Sequence, residues 1–296
     1  MKRLLVTLML LGAIGCGSSA APRPAPAPQS TATEAAAVEP VTADAGPSPD
    51  QYLSEDPMSA LEKLGAEFDE NDQGQITSVY FEVAKIGDAG LAHLRGLANL
   101  EDLDLSGTQI TDAGLVAIEE LVGLKELRLP DGISDAGLAH LRPLAELREL
   151  HLVGAQISDA GLLHVKHLTG LQGLYLETPQ VTDGGLRHLE GLVELDRLRL
   201  PRRITDAGLA QVAAHVHLKR VDLSNTQISD AGLVHVAGLS ELQSLNLGMT
   251  GITDSGLLHL KGLQDLRYLG LFQCVWVTNA GVAAIQRDLP ECKITQ

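Results

Sequence analysis

Ile110-Thr-Asp-Ala-Gly-Leu115 is followed by Ile133-Ser-Asp-Ala-Gly-Leu138 and Ile157-Ser-Asp-Ala-Gly-Leu162. The same six-residue pattern, with small substitutions, opens at Ile86, Val181, Ile204, Ile228 and Ile252, and in degraded form at Val277. Their aspartates stand at 88, 112, 135, 159, 183, 206, 230 and 254, and Asn279 closes the series, so the steps are 23 to 25 residues. A fixed period of that length marks a small unit that cannot bury its apolar face alone and must stack on its neighbours. Such a chain offers an extended surface and little room for a catalytic pocket.

Within the unit that opens at Leu100, Leu103 and Leu105 alternate with polar residues, as on one face of a short strand. Ile110 turns the chain back to the core, Thr111 or Asp112 is placed to cap a helix, and Leu115, Ile118 and Leu121 follow at helical spacing. Each unit therefore reads as strand, turn and short helix. Strands stack at about 4.8 Å and helices need about 10 Å, so the stack must curve with the sheet inside. A glycine recurs near each helix start, from Gly90 through Gly114 and Gly137 to Gly281. Since Gly in a helix is about 1 kcal/mol less favourable than Ala, the column predicts close approach between neighbouring backbones.

Leu171-Gln-Gly-Leu174-Tyr-Leu176, with the apolar turn residue after it, resembles the leucine-rich repeat family. The Thr/Ser-Asp-Ala-Gly-Leu element is similar to the subclass with helical outer faces, found in F-box leucine-rich proteins and in many bacterial exported proteins. The resemblance covers about residues 76 to 294 and implies an α/β solenoid of about nine repeats, a curved horseshoe with a parallel inner sheet and outer short helices. The family's usual Asn after the strand is replaced here by Thr108, Ala155, Pro179, Thr226 or Thr250. An Asn ladder is therefore not expected, and stability is assigned to the leucine core and the Ala-Gly packing.

The ends are read separately. Lys2 and Arg3 precede an apolar run from Leu4 to Ile14, too short to span a bilayer. Ala13-Ile14-Gly15-Cys16 resembles the lipobox of bacterial lipoproteins. The resemblance implies cleavage after residue 15 and lipid on Cys16, with a membrane anchor worth about 0.8 kcal/mol per buried methylene. Gly17 stands where an Asp tends to retain such proteins at the inner membrane, which favours the outer membrane of the cell envelope. Residues 16–56, rich in Ala and Pro, read as an anchored linker with an r.m.s. reach of roughly 35 Å. Residues 57–75 read as an N-terminal cap with a helix at Met58–Leu64 and a hairpin around Asp72-Gln-Gly74, residues 76–281 as repeats, and residues 282–296 as a C-terminal cap.

Removing Lys2 and Arg3 takes the formal charge from −16 to −18, which argues against nucleic-acid partners. Cys274 and Cys292 are read either as a disulfide, which export permits, or as two small buried side chains. The aspartate column is assigned to helix capping. The histidines at 93, 140, 164, 188, 235 and 259 are assigned to a solvated helix flank. No metal, cofactor or catalytic residue is assigned, and the chain is not expected to be an enzyme.

Alternation sends Tyr80, Asp104, Arg128, His151, Tyr175, Arg199, Asp222, Asn246 and Gly270 towards the hollow. Asp102, Glu126, Glu149, Arg197, Arg220 and Tyr268 flank them. Tyr175, Arg197, Arg199, Arg220 and His151 are the predicted partner-binding residues, because Tyr and Arg dominate binding hot spots. A protein partner, acidic where it meets these arginines, is the expected ligand. A structural or adhesive envelope role is the alternative. Glycan binding is disfavoured by an aromatic content of 3%. An F-box-like adaptor is disfavoured by the missing F-box segment and by the export signal.

Overall fold

A computed structural model describes residues 57–81 and 86–296. The signal, Cys16 and the linker lie outside the described residues. One sheet of eleven strands runs in chain order without closing. The hairpin of β1 (Glu67–Glu70) and β2 (Ile76–Tyr80) is antiparallel. Every later pairing is parallel, from β2 with β3 (Asp102–Asp104) to β10 (Tyr268–Gly270) with β11 (Lys293–Thr295). Between them lie β4 (Glu126–Leu129), β5 (Glu149–Val153), β6 (Gly173–Glu177), β7 (Arg197–Arg199), β8 (Arg220–Asp222) and β9 (Ser244–Asn246). The expected leucine-rich repeat solenoid is thus the observed fold.

The units are short because each needs only enough chain to cross the core twice. Leu100, Leu103, Leu105, Ile110, Leu115, Ile118 and Leu121 are all buried. At about 1.5–3 kcal/mol per buried aliphatic side chain, burial dominates the stability of each unit. The outer segments change character along the stack. Asp88–Leu94, Gly114–Ile118 and Gly137–Leu141 are 3-10 helix without a side-chain cap. Asp206–Val212 and Asp230–Val236 are α-helix. The last helix, Asn279–Asp288, is longer and leads into β11 at the sheet edge. At the other end the helix Pro57–Lys63 packs on the first outer segment.

The capping assignment of the aspartates is corrected. The preceding Ser or Thr is the cap: Thr205 Oγ1 accepts from Ala207 N–H, and Ser229 Oγ accepts from Ala231 N–H. The aspartate instead reaches into the next unit. Asp159 Oδ1 accepts from Thr182 N–H at 2.7 Å and its Oδ2 accepts from Thr182 Oγ1 at 2.6 Å. The same pair of bonds joins Asp88 to Thr111, Asp112 to Ser134, Asp135 to Ser158 and Asp183 to Thr205. It continues from Asp206 to Ser229, Asp230 to Thr253 and Asp254 to Thr278. At the last of these steps the Thr278 bonds hold the Asp254 carboxyl below the usual range.

This ladder also revises the expected source of stability. Thr108, Thr226 and Thr250 each donate their hydroxyl to the carbonyl three residues back in their own unit, and of the three only Thr250 also meets the next unit, where its Oγ1 lies 3.8 Å from Cys274 Sγ. Besides the backbone bonds of the sheet, the repeated side-chain bonds between units lie on the helical side, where the aspartates carry them beside the leucine core. The glycine column has the same cause. A Cβ on Gly137 would lie 2.3 Å from Asp112 Oδ1, and one on Gly208 would lie 2.4 Å from Asp183 Oδ1. Glycine therefore makes room for a carboxylate of the preceding unit, not for its backbone. Gly90 has no described aspartate before it, and a Cβ there would meet Ile86 and Leu64 instead. Cys274 and Cys292 are separate, buried thiols, and Cys274 Sγ donates to Leu247 O across the unit boundary.

Candidate functional site

Parallel register carries two columns of side chains down the inner face. One runs Tyr80, Asp104, Arg128, His151, Tyr175, Arg199, Asp222, Asn246, Gly270. The other runs Ser78, Asp102, Glu126, Glu149, Gly173, Arg197, Arg220, Ser244, Tyr268. The buried leucine or valine between each pair forces both columns to the same side. All five predicted contact residues lie in these columns.

Their charges are largely answered from within. Arg197 donates to Asp196 Oδ1 through Nε at 2.9 Å and to Glu149 through Nη1. It reaches Glu149 across β6, where Gly173 presents no side chain. Arg199 pairs with Glu177 at 2.8 Å and with Asp222 at 3.6 Å. Among the described residues Arg220 forms no ion pair and stands exposed. Of the three predicted contact arginines, Arg197 and Arg199 are therefore neutralised, and Arg220 is the one left for a ligand. Tyr175, Arg197, Arg199, Arg220, Asn246 and Tyr268 face a hollow of about 280 Å³ in the sheet surface.

His151 is placed differently from Tyr175 and the arginines. Its ring stacks on Tyr175 with centroids 4.1 Å apart and 5° between planes. Its Nε2 lies 3.6 Å from Glu126 Oε1 and 3.9 Å from Glu149 Oε2. Burial, followed by the positive charges of Arg128 and Arg197, lowers the imidazole pKa to about 4, so the ring is neutral at pH 7. Burial pushes the carboxyls of Asp102 and Glu126 up; the negative charge of Glu149 adds to both, and that of Asp102 adds to Glu126. Burial also raises the Tyr175 phenol. Asp102 Oδ1, Glu126 Oε1 and His151 Nε2 are buried without a hydrogen bond. Arg128 pairs by charge with Glu126 and lies 3.4 Å from Asp104 Oδ2.

The grouping of Glu126, Glu149 and His151 was missed from sequence. Their signal was the two columns read diagonally instead of one strand at a time. The outer histidines His93, His140, His164, His188 and His235 are half-buried and His259 is exposed; His140 Nδ1 contacts Glu119 Oε1 at 2.6 Å. Another feature that sequence reasoning passed over is the exposure of Phe272, Val275 and Trp276 beside the last strands. Met249 holds a positive φ of 57° and lines a second cavity, of about 520 Å³, with Arg199, Arg202 and Asn225.

An open parallel sheet backed by short helices, with one leucine set per strand, defines a class of binding scaffold. The leucine-rich repeat family model matches residues 96–118, 214–237 and 240–260, in keeping with the leucine-rich repeat solenoid fold of the chain. Among solved structures, an internalin from Listeria monocytogenes is 20% identical and covers 82% of this chain and 90% of its own, with a TM-score of 0.47. An internalin C2 from the same organism is 24% identical and covers 74% and 81%, with a TM-score of 0.43. No curated protein matches the chain. Among the described residues no helix is long and apolar enough to cross a membrane.

Proposed function

We propose that this protein is exported, anchored to the outer membrane of the cell envelope by lipid on Cys16, and docks a protein partner on its inner sheet. Leucine-rich repeat domains are protein-interaction scaffolds, which supports the partner class. The anchor rests on Lys2, Arg3, the short apolar run and Cys16 in the sequence. The partner surface is built from Tyr175, Arg197, Arg199, Arg220 and His151. The observation that carries it is the hollow where Tyr175 and Tyr268 flank the unpaired Arg220. Aromatic rings give rigid contact area and a free guanidinium gives a fork for carboxylates. An acidic segment with an apolar neighbour is the fitting ligand.

A photoreactive residue at Tyr175 in living cells, read by mass spectrometry, tests this. One captured protein, lost on Arg220→Glu, is the expected result. Capture only from the outer position His164 defeats inner-face docking.

A further inference from the structure

We propose that Glu126, Glu149 and His151 form a zinc site on the inner sheet, next to the hollow around Arg220. One ligand atom from each lies within 4.8 Å of the others. A tetrahedral zinc with bonds of about 2.0–2.2 Å holds its donors roughly 3.4 Å apart. The observed 3.6 Å and 3.9 Å from His151 Nε2 need only small side-chain rotations to meet that spacing.

The three residues stand on adjacent strands, β4 and β5, where Glu126 pairs in register with Glu149, and His151 follows two residues on. A sheet holds such a set more firmly than loops would. His151 Nε2 is buried and makes no hydrogen bond, a condition native proteins rarely leave without a ligand, while the buried Glu126 Oε1 is held by the charge of Arg128. Tyr175 stacks flat on the imidazole and fixes its plane. One imidazole with two carboxylates favours a first-row transition ion over magnesium or calcium, which take oxygen alone. Three protein ligands leave a fourth position for water or a partner side chain.

The two nearby arginines are compatible with this. Arg197 takes Glu149 Oε1 and leaves Oε2 facing His151. Arg128 shares Glu126 Oε1 but also reaches Asp104, where it can remain when the ion enters. In that arrangement both arginines orient the ligating carboxylates from outside.

The purified full chain, stripped with a chelator, is titrated with zinc by calorimetry and with cobalt by visible absorption. One ion per chain and a cobalt ligand-field band are expected. His151→Ala, Glu149→Gln and Glu126→Gln should each weaken zinc roughly a hundredfold, with the circular dichroism unchanged. His164→Ala and His188→Ala, on the outer face, should leave affinity intact. Absence of stoichiometric zinc, or full affinity in His151→Ala, overturns the site. The latter result moves the ion to the outer histidines or to the thiols of Cys274 and Cys292. Should His151→Ala fail to fold, the two glutamine variants give the same readout. Partner capture at Arg220 is measured separately, so failure of either proposal is told apart from failure of the other.

Discussion

Asp159 Oδ1 stands 2.6 Å from the point a Cβ on Gly185 would occupy. The two residues belong to consecutive units, and the carboxylate reaches that point because it bonds Thr182 three residues earlier. Helix propensity alone would favour alanine at position 185 by about 1 kcal/mol. The collision outweighs that gain. Gly185→Ala is expected to destabilise the protein by about 1–3 kcal/mol in urea unfolding. In an Asp159→Ala background the same substitution should be neutral or stabilising, and a double-mutant cycle showing no coupling would refute the account.

Removing a ladder carboxylate should be felt at its neighbour. Asp183→Ala leaves Thr205 N–H and Oγ1 without their acceptor. Loss of two charge-assisted bonds is expected to cost about 2 kcal/mol. Amide exchange at Thr205 should accelerate, while amides two units away keep their protection, as nearest-neighbour coupling in a solenoid requires.

Arg197 and Arg220 separate stability from recognition. Arg197→Glu removes bonds to Glu149 and Asp196 and sets a new negative charge beside both. It should lower stability by about 2 kcal/mol. Arg220→Glu should leave the midpoint of unfolding within about 0.5 kcal/mol of the parent and still abolish partner capture from Tyr175.

His215 supplies a pH dependence. It is buried, and burial lowers its pKa, against a backbone bond to Leu192 and the Glu190 charge. The unfolded chain therefore takes up its proton near the ordinary value of about 6.5, before the folded chain does. Stability contributed by this neutral ring is complete above that pH and is lost as pH falls towards the folded value. His215→Gln should flatten the acid limb of stability against pH. An NMR midpoint for His215 at or above the ordinary value would exclude it.

Met249 holds a left-handed backbone at φ 57° while its side chain stands exposed by the second cavity. Such a conformation costs an L-residue about 1–2 kcal/mol. Met249→Gly should therefore raise the thermal midpoint. If the methionine also contacts the partner, the same variant should bind it less tightly.

Period and alternation made most of the inner face legible before any coordinates. Counting by units placed Tyr80 to Gly270 in one column, and strand register keeps them there. The ladder was not legible, because Thr182 and Asp183 are adjacent and either can cap a helix by type. Only the spacing between units decides that the hydroxyl caps while the carboxylate reaches outward. The pairing of Arg199 with Glu177 and Asp222 was open to sequence reasoning as neutralisation. The reach of Arg197 to Glu149 was not, since it depends on Gly173 leaving the strand between them bare. Glu126, Glu149 and His151 were each named as facing the hollow, but convergence of three side chains is a property of rotamers and not of periods.

The bonds at each seam join the same groups along the described stack, an amide and a Ser or Thr hydroxyl donating to an aspartate, from Asp88 to Thr278. A gene that copies or drops one whole unit in frame therefore brings matching groups to the new join. Lineages can lengthen or shorten this protein by unequal crossing-over without inventing a new contact, and the span of its inner wall can drift faster than the chemistry that holds it together.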